Sequence, residues 1–282
     1  MKAFELVRLF VNKTLVYEVP RMRGNPGYSR LQAVRLLVYA RLKGIRTDKG
    51  LVRHLKKNRL AVRALGFKRV PHRTTVGRWW RRYAELLKKV FEELTGLLQH
   101  PLPCRLLVVD STPLEDRRDP EGRWGYSSRG SFKGFKLHVA VNQKGLPLRA
   151  LVTPGNRYDS PFLPTLIQGL KPERVVADAG YDSKENRLAV KGIGAAPVIA
   201  RNPRRRGKNG FRSILNRGRQ YLVEQFHSLV KDQILKGCWK RVKGLRKKAG
   251  QVYAGLISLL TISLKAVING ESSLRKVSQC WN

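Results

Sequence analysis

The sequence predicts an α/β protein in which a mixed sheet with flanking helices follows an all-helical domain. Up to about residue 98 the hydrophobic residues recur at helical spacing, whereas later segments alternate between short β-branched runs and helical patterns. Two of the β-branched runs, residues 105–110 and 174–178, end in an aspartate. A Pro-containing segment at residues 99–103 separates the two patterns. We therefore predict one domain over residues 1–98 and a second over residues 99–282.

The composition indicates a folded protein with a polyanionic partner. The 282 residues include 58 Lys and Arg against 19 Asp and Glu, which gives a formal net charge of +39. Because 42% of the residues are hydrophobic, this charge belongs to a folded surface rather than to a disordered tail. Basic residues run through nearly the whole chain without a long apolar span, so nucleic acid fits better than a membrane.

Cysteine usage and the chain ends predict a cytoplasmic, nucleoid-associated protein. Cys104, Cys238 and Cys280 form no CxxC pair, so neither a zinc knuckle nor a disulfide framework is indicated. Residues 1–19 mix apolar and charged residues and contain no uninterrupted signal-peptide core. The most apolar segment, residues 252–268, is interrupted by a lysine and short for a membrane span, so we interpret it as a core helix.

The first domain is predicted to contain several short helices. Ser29 and Thr47 are in position to cap the first two, and residues 60–65 form a third. A turn over residues 66–73 leads to a longer helix, predicted over residues 76–98.

The start of that longer helix carries the candidate DNA-binding residues. Thr74 and Thr75 open the helix, and Arg73 and Arg78 flank them. A basic helix that opens on hydroxyls after a tight turn is typical of a helix-turn-helix, whose helix N-terminus approaches DNA. An ordinary helical bundle with buried tryptophans and solvated arginines explains residues 1–98 equally well.

The second domain is predicted from its order of strands and helices. The predicted elements are strands 105–110, 135–142, 146–153, 174–178 and 197–200, and helices 161–170, 184–190, 221–235 and 252–268. Gly145 in the 143–145 turn makes the second and third strands a hairpin. A strand, a hairpin, a crossover helix and a returning parallel strand are the layout of an RNase H-like sheet.

Asp110 and Asp178 are the candidate metal ligands. Each follows a buried apolar run, and a desolvated carboxylate is costly unless it is paired or holds a metal ion. If the two strands are parallel neighbours about 4.8 Å apart, both carboxylates lie at the same edge. Two divalent ions ~3.5–4 Å apart there would suit an in-line phosphoryl transfer. The alternative is that both residues are helix caps or turn acids.

A third acid is expected from the helix over residues 221–235. We choose Glu224 over Asp232, because Glu224 lies among hydrophobic residues. Lys231, seven residues on, would return to the same face of an α-helix and could hold the scissile phosphate. The alternative for Glu224 is a surface acid without a chemical role.

Several motifs resemble those of the insertion-sequence DDE transposases, of the type grouped with IS-four and IS-five elements. The segments V-D-S-T (109–112), R-W-G-Y-S-S (123–128), K-G-F-K-L-H (133–138), V-T-P-G-N-R-Y-D-S (152–160) and V-A-D-A-G-Y-D-S (176–183) are similar to successive motifs of that family. Val223-Glu224 with Lys231 resembles its third motif, Y-x2-R-x3-E-x6-K. The tyrosine of this pattern falls on Arg217 and its arginine on Gln220, with Arg219 adjacent. A weaker similarity covers residues 70–79, in the helical region.

The resemblance implies an RNase H-like catalytic domain with Asp110, Asp178 and Glu224 as metal ligands, Lys231 beside them, and Mg²⁺ or Mn²⁺ as cofactor. It implies cleavage and strand transfer at terminal inverted repeats, with double-stranded DNA as partner and a homodimer on DNA. Lys133 and Lys136 are then expected to contact DNA. Helical geometry places Arg217 on the face of Glu224, so we predict that it supplies a cation there.

Three rival functions stay open at this point. A decayed or co-opted transposase would keep the fold and only bind DNA. A metal-dependent nuclease without strand transfer would need the same site. A basic RNA-binding or ribosome-associated protein would explain the charge of +39 but not two strand-terminal aspartates and a helical glutamate.

Overall fold

The computed structural model describes residues 27–99, 103–127, 130–202 and 214–268. The predictions for residues 1–19, for part of the 99–103 junction, for Ser128 and for Cys280 lie outside this part of the chain. The chain divides into two compact units. One consists of Met1–Leu94 with Val230–Asn282, and the other of Thr95–Leu229.

Helices and strands are numbered here in chain order. They are α1 (Arg30–Leu42), α2 (Asp48–Lys57), α3 (Arg59–Ala64), α4 (Arg73–Arg82), α5 (Ala84–Gln99), β1 (Leu106–Glu115), β2 (Arg123–Ser127), β3 (Gly130–Asn142), β4 (Pro147–Pro154), α6 (Leu163–Ile167), β5 (Arg174–Ala177), α7 (Lys184–Gly192), β6 (Ala196–Ile199), α8 (Ile214–Ser228) and α9 (Leu245–Ile268). A π-helical segment, Leu229–Leu235, follows α8 directly.

The predicted caps of α1 and α2 are confirmed. Ser29 and Gln32 form a capping box, and the Thr47 hydroxyl accepts a hydrogen bond from Gly50 N at 3.0 Å. The helix predicted over residues 76–98 is instead two helices, α4 and α5. Tyr83 leaves the helical conformation (φ −108°, ψ 16°) while its N–H still bonds Trp79 O, and the chain turns there. Helix α4 also begins earlier than predicted, because His72 caps it.

The C-terminal helix α9 completes the core of the helical unit. It packs against α1 and α4, and Ser258 Oγ donates a hydrogen bond to Val38 O at 3.2 Å. The rings of Phe91 and Tyr253 lie 6.0 Å apart. The sequence analysis placed residues 99–282 in the second domain, whereas in the structure α9 belongs to the same compact unit as the N-terminal helices. A strongly hydrophobic sequence predicts that a helix is buried, but it does not predict which core the helix packs into.

The second unit contains a six-stranded mixed sheet in the order β2-β3-β1-β5-β6, with β4 paired to β3. Strands β1, β5 and β6 are parallel to one another, and β3 is antiparallel to β1, β2 and β4. The predicted hairpin is confirmed, with Gly145 at φ +75° in its turn. Strand β2 was not predicted, because it is short and its aromatic residues Trp124 and Tyr126 are exposed rather than part of a buried apolar run.

One face of this sheet is covered by the crossover helices. Leu107 and Val109 of β1 and Val175 and Ala177 of β5 pack with hydrophobic residues of the α6 and α7 region. Alternate residues of each strand point to the opposite face of the sheet. Within the described residues, no helix is long and apolar enough to cross a membrane.

Candidate active site

The two candidate aspartates occupy equivalent positions on neighbouring parallel strands. Strand β1 pairs with β5 in the register Leu106↔Arg174 to Val108↔Val176. Asp110 lies two residues after Val108, and Asp178 two residues after Val176. Neighbouring strands are about 4.8 Å apart, so this register brings the two aspartate positions side by side. The predicted parallel arrangement of the two strands is confirmed.

The strand that carries Asp110 does not end there, contrary to the sequence prediction. Strand β1 continues to Glu115, because β3 pairs with it as far as Glu115↔Gly134. Only the parallel pairing with β5 stops at Val108. Asp110 therefore lies where β1 no longer pairs with β5 but still pairs with β3.

Alternation along the strands places both aspartates on one face. The residues of β1 and β5 that face α6 and α7 are Leu107, Val109, Val175 and Ala177, so the even-numbered positions point the other way. Asp110 and Asp178 share that opposite face. The crossover helices therefore leave both carboxylates uncovered.

Local hydrogen bonds hold the two carboxylates. Asp110 Oδ1 accepts from Ser111 N at 2.9 Å. Asp178 Oδ1 accepts from Gly180 N at 2.9 Å and so caps a short 3₁₀ turn, Ala179–Tyr181. Both residues are half-buried. The alternative interpretation of Asp178 as a cap is thus correct for one oxygen.

Glu224 lies on the helix that contacts the two aspartate strands. Helix α8 packs against β1 and β5, with Val223 and Phe226 buried and Glu224 exposed. Among the α8 side chains that the structure describes, residues 221–228, none belongs to the core formed with α6 and α7. This arrangement fits the expectation that the third acid comes from a helix packed on the aspartate strands.

The geometry assumed for Lys231 is not that of the structure. Lys231 was placed on the face of Glu224 by α-helical rotation, but α8 ends at Ser228 and Leu229–Leu235 is π-helical. A π-helix bonds i→i+5 and winds more widely, so the α-helical angle does not apply. Lys231 also belongs to the other compact unit. Its role stays a prediction.

The residues present suit a divalent metal ion at the aspartates. Carboxylate oxygens are the hard ligands that Mg²⁺ and Mn²⁺ prefer, and Asp110 and Asp178 supply two of them from adjacent strands. Among the residues that the structure describes, no group of three or more His, Cys, Asp and Glu side chains is close enough to hold a metal ion. The described part of the structure therefore does not bring Glu224 into a three-acid group with Asp110 and Asp178.

Lys136, which was expected from the sequence to contact DNA, has protein partners in this structure. Lys136 is buried, and its ammonium lies 2.9 Å from Asp159 Oδ1 and 3.1 Å from Arg157 O. A lysine engaged in this way has no surface to offer to a phosphate. Sequence analysis missed Asp159 as its partner, although the 152–160 motif contains it.

His138 lies beside this ion pair. Its Nε2 is 2.8 Å from Thr153 Oγ1, and its Nδ1 is 3.6 Å from Asp159 Oδ1. Burial lowers the pKa of His138 to about 4, with Asp159 raising the pKa and Lys136 lowering it. The histidine is therefore neutral near pH 7.

Several other residues of the family-like motifs have local structural contacts. A Cβ at Gly125 would lie 2.0 Å from Gly155 O, so only glycine lets β2 approach the end of β4. Arg187 donates to Asp182 Oδ1 from Nε at 3.1 Å and from Nη2 at 2.8 Å. Ser183 caps α7. These contacts give the three motif residues a structural role.

The candidate DNA-binding residues of the helical unit lie together. Arg73, Thr74, Thr75 and Arg78 line one open cleft at the start of α4. The tryptophans next to them are buried, and Trp80 Nε1 donates to Asp48 Oδ1 at 2.9 Å. Sequence analysis did not identify the remaining basic residues of this cleft.

Lys133 and Arg217, two further residues expected to contact DNA, lie on β3 and α8. Lys133 is half-buried on β3, opposite the exposed Trp124 of β2. Arg217 lies within α8, which begins at Ile214. The side chain of Arg217 is outside the described part of the structure.

The second unit is a mixed sheet that carries Asp110 and Asp178 on adjacent parallel strands. A comparison of the chain with known protein families agrees with this architecture. The family model described as the transposase DDE domain matches residues 103–261. A second model, described as a transposase domain, matches residues 4–82. The first match covers more than half of the chain. The chain therefore belongs to the transposase DDE domain family.

Three relatives are named as transposases of insertion sequence elements. A protein of element IS1106 from Neisseria meningitidis serogroup B is 38% identical over 76 residues, 26% of this chain and 26% of the relative. A protein of element IS402 from Burkholderia cepacia is 33% identical over 144 residues, 45% of this chain and 64% of the relative. A protein of element IS6501 from Brucella ovis is 42% identical over 72 residues, 25% of this chain and 55% of the relative. Each match thus spans less than two thirds of the relative's length.

One solved structure also matches along most of the chain. The cryo-EM structure of a piggyBac transposase synaptic complex with hairpin DNA aligns with a TM-score of 0.41 and 12% sequence identity. The alignment covers 99% of this chain and 78% of that one. A similarity of this size does not define a shared fold.

Proposed function

We propose that this protein is a DDE transposase that cleaves DNA at the terminal inverted repeats of an insertion sequence and joins the ends to target DNA. The observation that carries the proposal is the parallel register of β1 and β5, from which neighbouring positions for Asp110 and Asp178 follow by strand geometry. Membership of the transposase DDE domain family supports the same activity. The second unit is then an RNase H-like catalytic domain.

In this proposal Asp110, Asp178 and Glu224 hold Mg²⁺ or Mn²⁺. The ions would supply Lewis acidity and a lowered water pKa for phosphoryl transfer. Ser111 N and Gly180 N each hold one aspartate oxygen, which fixes the carboxylates before DNA arrives. Glu224 is exposed on α8, so it has to approach the pair when the site assembles. Lys231 and Arg217 remain proposed cations for the scissile phosphate.

The helical unit is proposed to bind DNA through the start of α4, in the manner of a helix-turn-helix. Arg73, Thr74 and Arg78 are exposed there, as a DNA-contacting helix requires. The net charge of +39 suits a double-stranded DNA partner and association with the nucleoid. Two ends must be joined, so we propose that a homodimer acts on the DNA.

The proposal is tested by incubating the purified protein and Mg²⁺ with a duplex that contains the element's end and a supercoiled target plasmid. We expect cleavage at the end and covalent joining to the plasmid, both abolished by EDTA and restored by Mn²⁺. Cleavage without joining would identify a nuclease, and binding without cleavage a DNA-binding protein. Either result would contradict the proposal.

The proposed roles of Arg217 and Lys231 are tested in the same assay. We expect Arg217→Ala and Lys231→Ala each to lower strand transfer by one to several orders of magnitude, the scale of losing one positioned charge. Arg219→Ala is the matched control and should have a smaller effect. A silent Arg217→Ala beside a strongly impaired Arg219→Ala would contradict the proposed arrangement.

A further inference from the structure

The helical unit contains an open cleft of about 1030 Å³ whose walls come from three helices. Helix α2 contributes Lys49, and helix α4 contributes the four arginines Arg73, Arg78, Arg81 and Arg82. Helix α9 contributes Arg246 and Lys247, more than 150 residues further along the chain. The cleft therefore joins segments that the sequence assigned to different domains.

Close helix packing explains how α9 reaches this position. A Cβ at Gly250 would lie 2.4 Å from Trp80 O, so the backbones of α9 and α4 touch there. Arg246 lies one turn before Gly250, which carries the start of α9 along the wall of α4. Gly77 likewise lets α4 approach α2, because a Cβ there would lie 3.1 Å from Asp48 Oδ2.

The charges of this cleft are strongly unbalanced. Seven of its side chains are Lys or Arg and one, Asp48, is an acid. Asp48 accepts a hydrogen bond from Trp80, and burial raises its pKa against the lowering effect of Arg41 and Lys247. Within the described residues, none of the seven cations forms an ion pair with an acid. A cluster of like charges in large excess over acids is the footprint of a polyanion site.

We infer that this cleft binds the sugar–phosphate backbone of duplex DNA, and that Arg246 and Lys247 are phosphate contacts that act together with α4. The inference rests on the proposed function and adds to it a contact surface from the C-terminal helix. The cleft is open and far larger than a single phosphate, and it places the cations beside Thr74 and Thr75. Phosphate contacts of this kind position a protein on DNA without reading its sequence.

The inference is tested with the full-length double variant Arg246→Ala/Lys247→Ala. Binding to a fluorescein-labelled, mixed-sequence DNA duplex is measured by anisotropy over a series of salt concentrations. We expect the Kd to rise at least about tenfold at low salt, and the slope of log K against log[salt] to shrink by about 1–2. The exchange Arg246→Lys/Lys247→Arg keeps the charge and should restore most of the affinity.

The matched control is Lys56→Ala/Lys57→Ala, which removes two exposed cations of α2 that do not line the cleft. We expect at most a small change in Kd and slope. Thermal unfolding of each variant checks the fold, and the single variant Arg246→Gln serves if the double variant unfolds early. Equal effects of the cleft and control variants would overturn the inference, since the effect would then be one of net charge.

Two further experiments distinguish a failure of this inference from a failure of the proposed function. If Arg73→Ala/Arg78→Ala weakens duplex binding and Arg246→Ala/Lys247→Ala does not, the inference fails while DNA binding by α4 stands. Single-stranded RNA and inorganic phosphate serve as competitors. Displacement of the duplex by millimolar phosphate, or a loss confined to RNA binding, would also overturn the inference. Failure of end cleavage in the wild-type protein would instead count against the proposed function.

Discussion

The ammonium of Lys136 lies 2.9 Å from the Asp159 carboxylate, and the lysine side chain is 9% exposed. We expect Lys136→Met to destabilise the protein, because Asp159 would lose its partner while it stays largely buried. Since Asp159 is 26% exposed and thus partly solvated, the loss should be about 1–3 kcal/mol. Urea unfolding followed by tryptophan fluorescence measures it.

Lys133→Met, on the same strand, is the control for this measurement. Lys133 is half-buried, and we expect its replacement to change the unfolding free energy by less than about 0.5 kcal/mol. If Lys136→Met were as stable as the wild type and bound DNA more weakly, the original assignment of Lys136 to DNA contact would be right.

These residues show what local sequence can and cannot reveal. Asp110 and Asp178 were predictable because an apolar run followed by a carboxylate is a local pattern. The burial of Lys136 depends on Asp159, which lies 23 positions later and meets it only after β3 and β4 pair. A lysine in a basic chain gives no sign of such a partner.

At the scale of elements, the contact between α4 and α9 depends on one glycine. A Cβ at Gly250 would lie 2.4 Å from the Trp80 carbonyl oxygen, which is backbone and cannot rotate away. We expect Gly250→Ala to lower the unfolding free energy by about 1–3 kcal/mol, the usual size of an overpacking penalty. Differential scanning calorimetry checks this.

Gly96→Ala in α5 is the matched control, because a Cβ there meets no atom within 4 Å. Alanine is the better helix former, so this variant should be unchanged or more stable by about 0.5–1 kcal/mol. A Gly250→Ala protein stabilised to the same degree would show that the helices do not touch at this point.

Elements were predicted best where the signal is periodic or a cap is present. The α1 and α2 caps and the β3–β4 hairpin follow from Ser29, Thr47 and Gly145. The break at Tyr83 and the π-helical end of α8 were not predicted, because neither has a breaking residue such as proline. Tertiary packing decides both.

In the whole molecule, helix α9 belongs to the same compact unit as the helices α1 to α4. Helix α9 supplies Gly250, Tyr253 and Ser258 to contacts with α4, α5 and α1. We therefore expect a fragment of residues 1–98 to lack a cooperative unfolding transition, because much of its core is missing. Circular dichroism during heating measures this.

The control is the same fragment joined through a flexible linker to residues 230–282. This protein should unfold cooperatively, because the linker restores α9. A sharp thermal transition in residues 1–98 alone would show that the helical unit folds without its C-terminal part. The net charge predicted a polyanionic partner from composition alone. The basic cleft joins α2 and α4 to α9 and depends on long-range packing, which composition does not reveal.

Above all, we propose that Asp110 and Asp178 together make the DNA-cleaving site. Single-turnover cleavage of an end-containing duplex in Mg²⁺ tests it most directly, with Asp110→Asn, Asp178→Asn and the control Glu173→Gln, an exposed acid just before β5. We predict that each aspartate variant binds the duplex with nearly wild-type affinity and loses cleavage by at least about 10³-fold, whereas the control cleaves normally. Cleavage by Asp110→Asn at the wild-type rate would contradict the account.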